Sequence, residues 1–322
     1  MGFLNSKKRV GVIRGGPSPE YELSLKTGKR ILSLNIPGCK WVDVFIDRHG
    51  VWHLDGLARR PSSVLNNLDA VFNALHGNYG EDGGIQDILE TFGVPYTGSG
   101  KLSSALAMRK DMSLKYCGDS GVQTPLSFLI REGDTYKDAS LFSQKIPFPQ
   151  VIKPAASGSS EGIRIISSDE EFEEAINHAF KFSSAVLVQE FVEGKEATCG
   201  VIDGLRGYDH YPLFPVEMLL NFSERFDTEK GEAEKEFGRC PGNFSREESF
   251  RLQELAVLIH QTLGLRHYSR SDFVVNSEKG IFFLEVNALP ALAERSPFSL
   301  ELEASGITFD EFIFTLFDDL DL

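Results

Sequence analysis

Near the C-terminal end of this 322-residue chain, Arg270-Ser271-Asp272 is followed by Glu285-Val286-Asn287. Side chains alternate along a β-strand, so Arg270 and Asp272 share one face, as do Glu285 and Asn287. The intervening sequence predicts a hairpin with strands Ser269 to Val275 and Ile281 to Val286, turning at Asn276-Ser277-Glu278-Lys279-Gly280. With Asp272 opposite Glu285, Arg270 falls opposite Asn287 and four polar groups converge. Two carboxylates and an amide oxygen, with no His or Cys beside them, are hard ligands suited to Mg²⁺ rather than zinc. Arg270 keeps its charge and would face charge developing on a transferring phosphoryl or tetrahedral centre. Taken alone, a D…E-x-N pattern is more often an ordinary solvated hairpin edge, so its meaning depends on the other segments.

Lys153 opens such a segment. It ends the strand Gln150-Val151-Ile152-Lys153 and leads into Pro154-Ala155-Ala156-Ser157-Gly158-Ser159-Ser160-Glu161-Gly162, ahead of a second strand over Ile163 to Ile166. Glycines let backbone amides approach an anion and the lysine adds a point charge, which makes a candidate phosphate cradle. It is no Walker loop, because no Gly-Lys-Ser/Thr precedes a helix. Glu190 and Glu196 flank the turn Glu193-Gly194-Lys195, where a carboxylate could accept from a ribose diol. Glu20 follows Gly15-Gly16-Pro17-Ser18-Pro19 and begins a helix, where it either favours the helix dipole or grips a substrate ammonium. His76 lies in His76-Gly77-Asn78-Tyr79-Gly80-Glu81-Asp82-Gly83, a glycine-rich loop after a strand. No Ser-His-Asp or Cys-His arrangement is evident, so covalent nucleophilic catalysis has no support.

The elements that must position these groups alternate in type. Strands over Val10–Ile13, Val42–Ile46 and Ala70–Leu75, with helices over Glu20–Leu34 and Ile85–Phe92, predict a Rossmann-like parallel sheet with ligand loops at the strand C-termini. From Lys110 the pattern changes. Ser168 with Glu171, and Ser245 with Glu248, read as capping boxes. Phe172, Ala175, Ile176, Ala179 and Phe180 form a helical core stripe after the first of them. Leu252, Leu255, Ala256, Ile259 and Leu263, ending at Gly264, form another after the second. The strand Val186 to Val192 separates these regions, and the polar stretch from Phe222 to Ser245 reads as a lid loop. This divides the chain into 1–109, 110–189 and 190–322. A net charge of −14 argues against nucleic-acid or anionic-membrane partners, so any phosphate must be held locally. Four cysteines without metal or redox spacing, no signal-peptide core and no membrane-length apolar run predict a cytoplasmic protein.

In order along the chain, these segments resemble the D-alanine–D-alanine ligases of the ATP-grasp superfamily. The resemblance rests on GGPSPEYELSL at 15–25, ALHGNYGEDGGIQDILETFGVPYTGSG at 74–100, SALAMRKD at 104–111, KPAASGSSEG at 153–162, VQEFVEGKE at 188–196 and the block from Arg270 to Ser296. It implies an α/β ATP-grasp fold and a reaction in which one amino acid's carboxylate takes the γ-phosphoryl of ATP. A second molecule's nucleophile then attacks the acyl phosphate. By position, Lys110 and Lys153 would hold ATP phosphates and Ser159 would sit in the loop over the reacting groups. Gln189, Glu190 and Val192 would border adenine, and Glu196 would hold ribose. Asp272, Glu285 and Asn287 would bind two Mg²⁺ ions, with Mn²⁺ as an alternative. Glu20 and His76 would fix the first D-amino acid, Arg270 would stabilise the tetrahedral intermediate, and Ser296 would hold the second substrate's carboxylate. The resemblance also implies small D-amino or D-hydroxy acid substrates, peptidoglycan precursor synthesis and a homodimer.

The chain departs from the family pattern in places. Gln189 stands where Glu is common, and its amide oxygen can still accept from the adenine amino group. The usual Asn-Thr-x-Pro-Gly reads Asn287-Ala288-Leu289-Pro290-Ala291, and alanine would be strained if that position needed a positive φ. Pro297 after Ser296 removes a backbone N–H. The lid reads Phe226-Asp227-Thr228-Glu229-Lys230-Gly231, placing Gly231 where a tyrosine follows the lid lysine. This resembles the D-alanine–D-lactate type, with Lys230 as the partner for a carboxylate or phosphate. D-alanine–D-alanine ligation is the leading expectation, ahead of D-lactate-type, D-serine-type or other amino-acid ligation. A degenerate nucleotide-binding protein is the contrasting reading, and it has no need of the full Arg270, Asp272, Glu285 and Asn287 set.

Overall fold

The computed structural model describes residues 7–134, 144–158, 162–219, 238–318 and 320. The apolar run beginning at Val10 lies at the centre of β1 (Lys8–Gly15), which joins the first sheet. After it come α1 (Tyr21–Leu32), β2 (Cys39–Ile46), β3 (Trp52–Leu54), β4 (Leu57–Arg59), α2 (Pro61–Leu65) and β5 (Ala70–Asn73). The sheet order is β4-β3-β2-β1-β5. β1 runs parallel to β2 and β5, as the alternating pattern predicts, but β3 and β4 form an antiparallel edge. That edge is short, and β4 is exposed along its length, so it carries no apolar run for sequence reading to find.

Three helices follow: α3 (Gly84–Thr91), α4 (Lys101–Met108) and α5 (Lys110–Asp119). They lead into a central antiparallel sheet of β6 (Ser127–Arg131), β7 (Gln150–Pro154), β8 (Arg164–Ile166) and β9 (Ala185–Glu190), ordered β6-β9-β7-β8. Between β8 and β9, helix α6 (Phe172–Ala179) buries Phe172, Ala175, Ile176 and Ala179 against this sheet, with Phe180 half-buried beside them. The expected Ser168–Glu171 box does not form. Asp169–Glu171 tightens into a 3₁₀ turn, the Ser168 hydroxyl makes no cap bond, and the Glu171 carboxylate accepts from the Ser167 N–H at 3.1 Å instead. Starting the helix three residues later removes the spacing on which the box depends.

The third sheet contains β10 (Lys195–Asp203), β11 (His210–Pro212), β12 (Val216–Met218), β13 (Gly238–Arg239), β14 (Tyr268–Asn276) and β15 (Gly280–Asn287). Its order is β13-β12-β10-β14-β15, with β11 also paired to β10, and every pairing is antiparallel. β13 occupies part of the stretch expected to be a lid loop; residues 220–237, including Lys230, lie outside the described residues, as does Ser159. Across this sheet packs α7 (Arg246–Thr262), whose Ser245–Glu248 box makes both reciprocal bonds. Its Leu252, Leu255, Ala256 and Ile259 are buried. The chain then forms α8 (Pro297–Ala304) and α9 (Phe309–Asp318). These two helices pack Phe298, Leu302 and Phe312 against Tyr268 of β14 and against Val10, Ile31 and Phe72 of the first unit, making one continuous core.

The turn after β1 sets how α1 approaches the ligand loops. Gly15 has φ +95°, and a side chain there would collide with the Ile46 carbonyl of the neighbouring strand. Gly15→Ala is therefore expected to destabilise the protein by at least about 2 kcal/mol, since left-handed strain adds to a backbone clash. Urea unfolding measures this, and an unshifted midpoint would show that the turn relaxes freely.

Candidate active site

The hairpin β14–β15 forms the register the spacing predicts: Asp272 pairs with Glu285 and Arg270 with Asn287. A bulge follows Asp272, after which Phe273 pairs with Phe283. Arg270 grips Asp272 through two bonds, Nε to Oδ1 and Nη2 to Oδ2, each 2.9 Å. Thr198 of β10 donates to Asp272 Oδ1 at 2.6 Å, and Asn287 Nδ2 donates to Oδ2 at 3.3 Å. The last bond turns the Asn287 nitrogen toward Asp272 and leaves its oxygen as the donor atom for a cation. Burial works against the Arg270 charge, but adjacent Asp272 prevails and holds the guanidinium above its ordinary value.

Two lysines from other segments reach the same hairpin. Lys110, at the start of α5, lies 3.2 Å from Glu285 and donates to the Ser157 carbonyl. Lys153, the penultimate residue of β7, is 5 % exposed. Burial lowers its pKa to about 8, with Glu285 opposing that shift and Lys110 adding to it. Burial would raise the Glu285 carboxyl, but Lys110 and Lys153 keep it below the usual range and ionised. A cleft of about 20 Å³ lies where Glu81, Lys110, Ser157, Glu285 and Asn287 meet. Such a space holds one water or one small ion. All-oxygen donors at its edge are the set expected for Mg²⁺.

Beside it, between the central and third sheets, opens a cavity of about 440 Å³. Val151, Ile163 and Ile165 form one apolar wall and Val274 and Leu284 the other, while Lys153, Asp272 and Glu285 close one end. Gln189, Glu190, Val192 and Glu196 also line it. Gln189 is 2 % exposed, and its Nε2 has no hydrogen-bond partner among the described residues. A buried orphan amide in an apolar slot is costly until a ligand satisfies it. Rotation of the amide presents either a donor or an acceptor, so an adenine edge fits in either sense. Glu190 is committed elsewhere: Leu126 N–H donates to Oε2 at 3.4 Å and Lys279 lies 3.5 Å from Oε1, which places its carboxylate at the cavity edge.

Glu20 and His76 also come together. Glu20 precedes α1 but makes no capping bond with its side chain; it extends toward Gly77 and Gly158 instead. His76 is 2 % exposed, with Nε2 2.9 Å from Thr27 Oγ1 and Nδ1 3.3 Å from Glu81 Oε1. Glu20, His76 and Glu81 have side-chain ligand atoms within 4.8 Å of one another. Glu81 and Thr198 are the members that sequence reading missed. Glu81 carries a signal in its spacing from His76 across a glycine-rich loop, whereas Thr198 gains meaning only through its β10–β14 pairing with Asp272. Glu301 was missed as well. Fully buried on α8, it fills the space a side chain on Gly200 would occupy, and burial pushes its carboxyl well above the usual range.

Ser296 caps α8. Its hydroxyl accepts from the Ser299 N–H at 3.3 Å and donates to the Ala291 carbonyl at 2.7 Å, and Pro297 at the first helical position borders the large cavity.

Comparison with known proteins decides the family. The D-ala D-ala ligase C-terminus family matches residues 121–318, and the D-ala D-ala ligase N-terminus family matches residues 57–99. A D-alanine–D-alanine ligase of Aquifex aeolicus is 36 % identical over 308 residues, covering 95 % of this chain and 98 % of that one. The chain belongs to the D-alanine–D-alanine ligase family. Among solved structures, the VanG D-Ala:D-Ser ligase from Enterococcus faecalis superposes with a TM-score of 0.85 at 27 % identity, covering 97 % of this chain and 99 % of that one. The D-alanine–D-alanine ligase from Bacillus anthracis, complexed with ATP, gives 0.75 at 26 % identity, covering 97 % and 96 %.

Within the D-alanine–D-alanine ligase family, this chain's Ala291 substitution carries no backbone strain. The left-handed residue in that loop is Arg295, at φ 62°, and Ala291 is not among the positive-φ residues.

The Lys153 environment has a measurable consequence. In the free protein Lys153 is charged below about pH 8 and neutral above it. Affinity for inorganic triphosphate should therefore fall as pH rises from 7.5 to 9.5, by up to about tenfold per unit. Lys153→Arg, which stays charged, should flatten that dependence. Calorimetric titration reads both, and a flat wild-type profile would place the lysine pKa elsewhere.

Proposed function

We propose that this protein is an ATP-dependent ligase that joins D-alanine to a second D-alanine for peptidoglycan precursor synthesis. One observation carries this reading: in a chain that matches the family along nearly its whole length, the hairpin register that sets Asp272 opposite Glu285 also brings Glu285 within 3.2 Å of Lys110, beside a small cleft that Glu81 and Asn287 share with them. The first D-alanine places its ammonium against Glu20 and its carboxylate toward the lysines. Its carboxylate oxygen attacks the γ-phosphorus of ATP, the bond to the β-phosphate oxygen breaks, and ADP departs with that electron pair. The second D-alanine gives an ammonium proton to water, and its nitrogen attacks the acyl carbon, later passing a second proton to the phosphate that leaves. Collapse of the tetrahedral centre expels phosphate and leaves the peptide bond.

The residues divide these tasks. Lys110 and Lys153 hold phosphate oxygens. Gln189 and the Glu190–Val192 segment border adenine, and Glu196 accepts from ribose. Arg270, fixed by Asp272, faces the tetrahedral oxygen, where a preorganised charge acts without reorganisation. Asp272, Glu285 and the Asn287 oxygen would hold Mg²⁺, with Mn²⁺ as substitute; bound there, the metal supplies neutralisation of phosphate charge. Ser296 would turn its hydroxyl proton from the Ala291 carbonyl to the second substrate's carboxylate, helped by the α8 N-terminus. Ser159 and Lys230, outside the described residues, are assigned to the loop over the reacting groups and to the lid. The three-part division at 109 and 189, a homodimer and a cytoplasmic location belong to the same proposal. Among the described residues, no helix is long and apolar enough to cross a membrane.

Two measurements test the reading. Glu285→Gln keeps shape but removes a ligand charge, and kcat for D-alanine-dependent phosphate release should fall at least about a hundredfold, near 3 kcal/mol of barrier. Wild-type turnover at saturating Mg²⁺ would sink the metal assignment. The likeness to a D-Ala:D-Ser ligase makes the second substrate a separate question. Product analysis from D-alanine mixed with D-serine or D-lactate, across pH 6 to 9, should give D-alanyl-D-alanine as the main product, increasingly at high pH where the amine is free. A dominant D-serine or D-lactate product would reassign the second site, and ATP hydrolysis indifferent to D-alanine would overturn the ligase itself.

A further inference from the structure

A second cluster of ligand-type side chains lies away from the cavity, where β10 ends, β11 begins and α7 crosses both. Asp203 Oδ1 is 2.7 Å from His210 Nδ1 and 3.1 Å from His260 Nε2. The three ligand atoms all lie within 4.8 Å of one another. Asp203 closes the same strand that carries Thr198, five residues on, so an extended chain puts it about 16 Å from the hairpin carboxylates' anchor.

The distal atoms of two of these residues are already held. His260 Nδ1 is 2.7 Å from Ser269 Oγ, and Asp203 Oδ2 accepts from the His267 N–H at 2.7 Å. Outer bonds of this kind fix ring orientation and carboxylate direction in metal sites. Burial alone would raise the Asp203 carboxyl, but His260 and His210 bring it below its usual value, so the group is an ionised ligand. His260 is fully buried, while the side chains of His210 and Asp203 are 27 % and 15 % exposed, which leaves an entrance from solvent.

We propose that Asp203, His210 and His260 form a site for a zinc-class divalent cation, separate from the nucleotide cavity. Two imidazoles and one carboxylate with an open fourth position are a zinc donor set, whereas the hairpin's oxygens are a magnesium one. Metal–ligand bonds near 2.1 Å put tetrahedral ligand atoms about 3.4 Å apart. The contacts of Asp203 Oδ1 with His210 at 2.7 Å and His260 at 3.1 Å therefore lengthen as the cation replaces them, together with the 3.2 Å contact of His260 Nε2 with Asp203 Oδ2. His210 Nδ1, His260 Nε2 and Asp203 Oδ1 would take three positions and water the fourth. Because the ligands come from β10, β11 and α7, the bound ion would pin the helix to the sheet and stabilise the fold.

The test uses the full chain, stripped by chelator and held in millimolar Mg²⁺. Co²⁺ titration of the wild type should show one equivalent with the visible absorption of a four-coordinate site, and micromolar Zn²⁺ should displace it and raise the melting temperature. His210→Ala, whose side chain is 27 % exposed, should weaken Co²⁺ binding at least tenfold and abolish the Zn²⁺ stabilisation. It should also retain Mg²⁺-dependent ATP turnover. Asp203→Asn should weaken binding too. Glu285→Gln should leave Co²⁺ binding intact. Absence of a Co²⁺ spectrum in the wild type, equal binding by His210→Ala, or loss of the signal in Glu285→Gln would overturn the proposal.

Discussion

Everything in this site depends on the register of one hairpin. Because side chains alternate, a single-residue slip of β15 against β14 would turn Glu285 and Asn287 into the core and bring Val286 to the cavity. The opposite face prevents that slip. Phe273 and Phe283 are fully buried and pack with ring centroids 6.1 Å apart, so the register that buries them also exposes the acids to the cavity. The bulge after Asp272 lets both conditions hold by changing the pairing between the polar and aromatic portions. Thr198 then fixes Asp272 from the third strand of the same sheet.

On this frame the charges balance locally. The chain as a whole carries −14, which by itself would repel a triphosphate. Lys110, Lys153 and Arg270 offset the hairpin carboxylates within a few ångströms, and they come from α5, β7 and β14 respectively. Three segments far apart in sequence thus meet at one point. Holding Lys153 in a dry strand end costs it part of its proton affinity, and Glu285 is what keeps most of the charge in place at neutral pH. The electrostatics of the pair belong to the folded state alone.

Much of this was legible in the sequence because the informative signals are local. The hairpin register follows from alternation and a turn, and the core stripes of α6 and α7 follow from helical spacing. Where reading failed, the deciding contact was not local. The charged, exposed edge strand Leu57–Arg59 exists because β3 offers it a partner. The Ser168–Glu171 pattern met its spacing rule but lost to a 3₁₀ turn set by where α6 packs. Thr198 and Glu301 look like an ordinary strand residue and an ordinary surface glutamate until the fold brings them to Asp272 and Gly200. Glu20 was legible as a helix-start carboxylate, yet its reach toward Gly158 could come only from the packing of the first unit on the second.

The continuous core of Val10, Ile31, Phe72, Tyr268, Phe298 and Phe312 welds the first and third sheets into one body. The weld is reinforced where Gly98 N–H donates to His267 Nδ1 and Arg266 Nε donates to the Gly98 carbonyl, each at 2.8 Å. The central sheet has a second core around Ile152, Phe172, Ile176 and Val188, while Leu187 of β9 and Leu129 of β6 pack on the third sheet's core. The first and third sheets form one block, with the central sheet packed beside it. The block carries Glu20, His76, Arg270, Asp272 and Glu285, and Lys110 sits on a helix whose Leu114 and Cys117 belong to the block's core. The central sheet carries Lys153 and Gln189. The two lysines are tied across that seam, because the Lys110 N–H donates to the Ala155 carbonyl at 2.9 Å and its ammonium to the Ser157 carbonyl, both just past Lys153 in the chain.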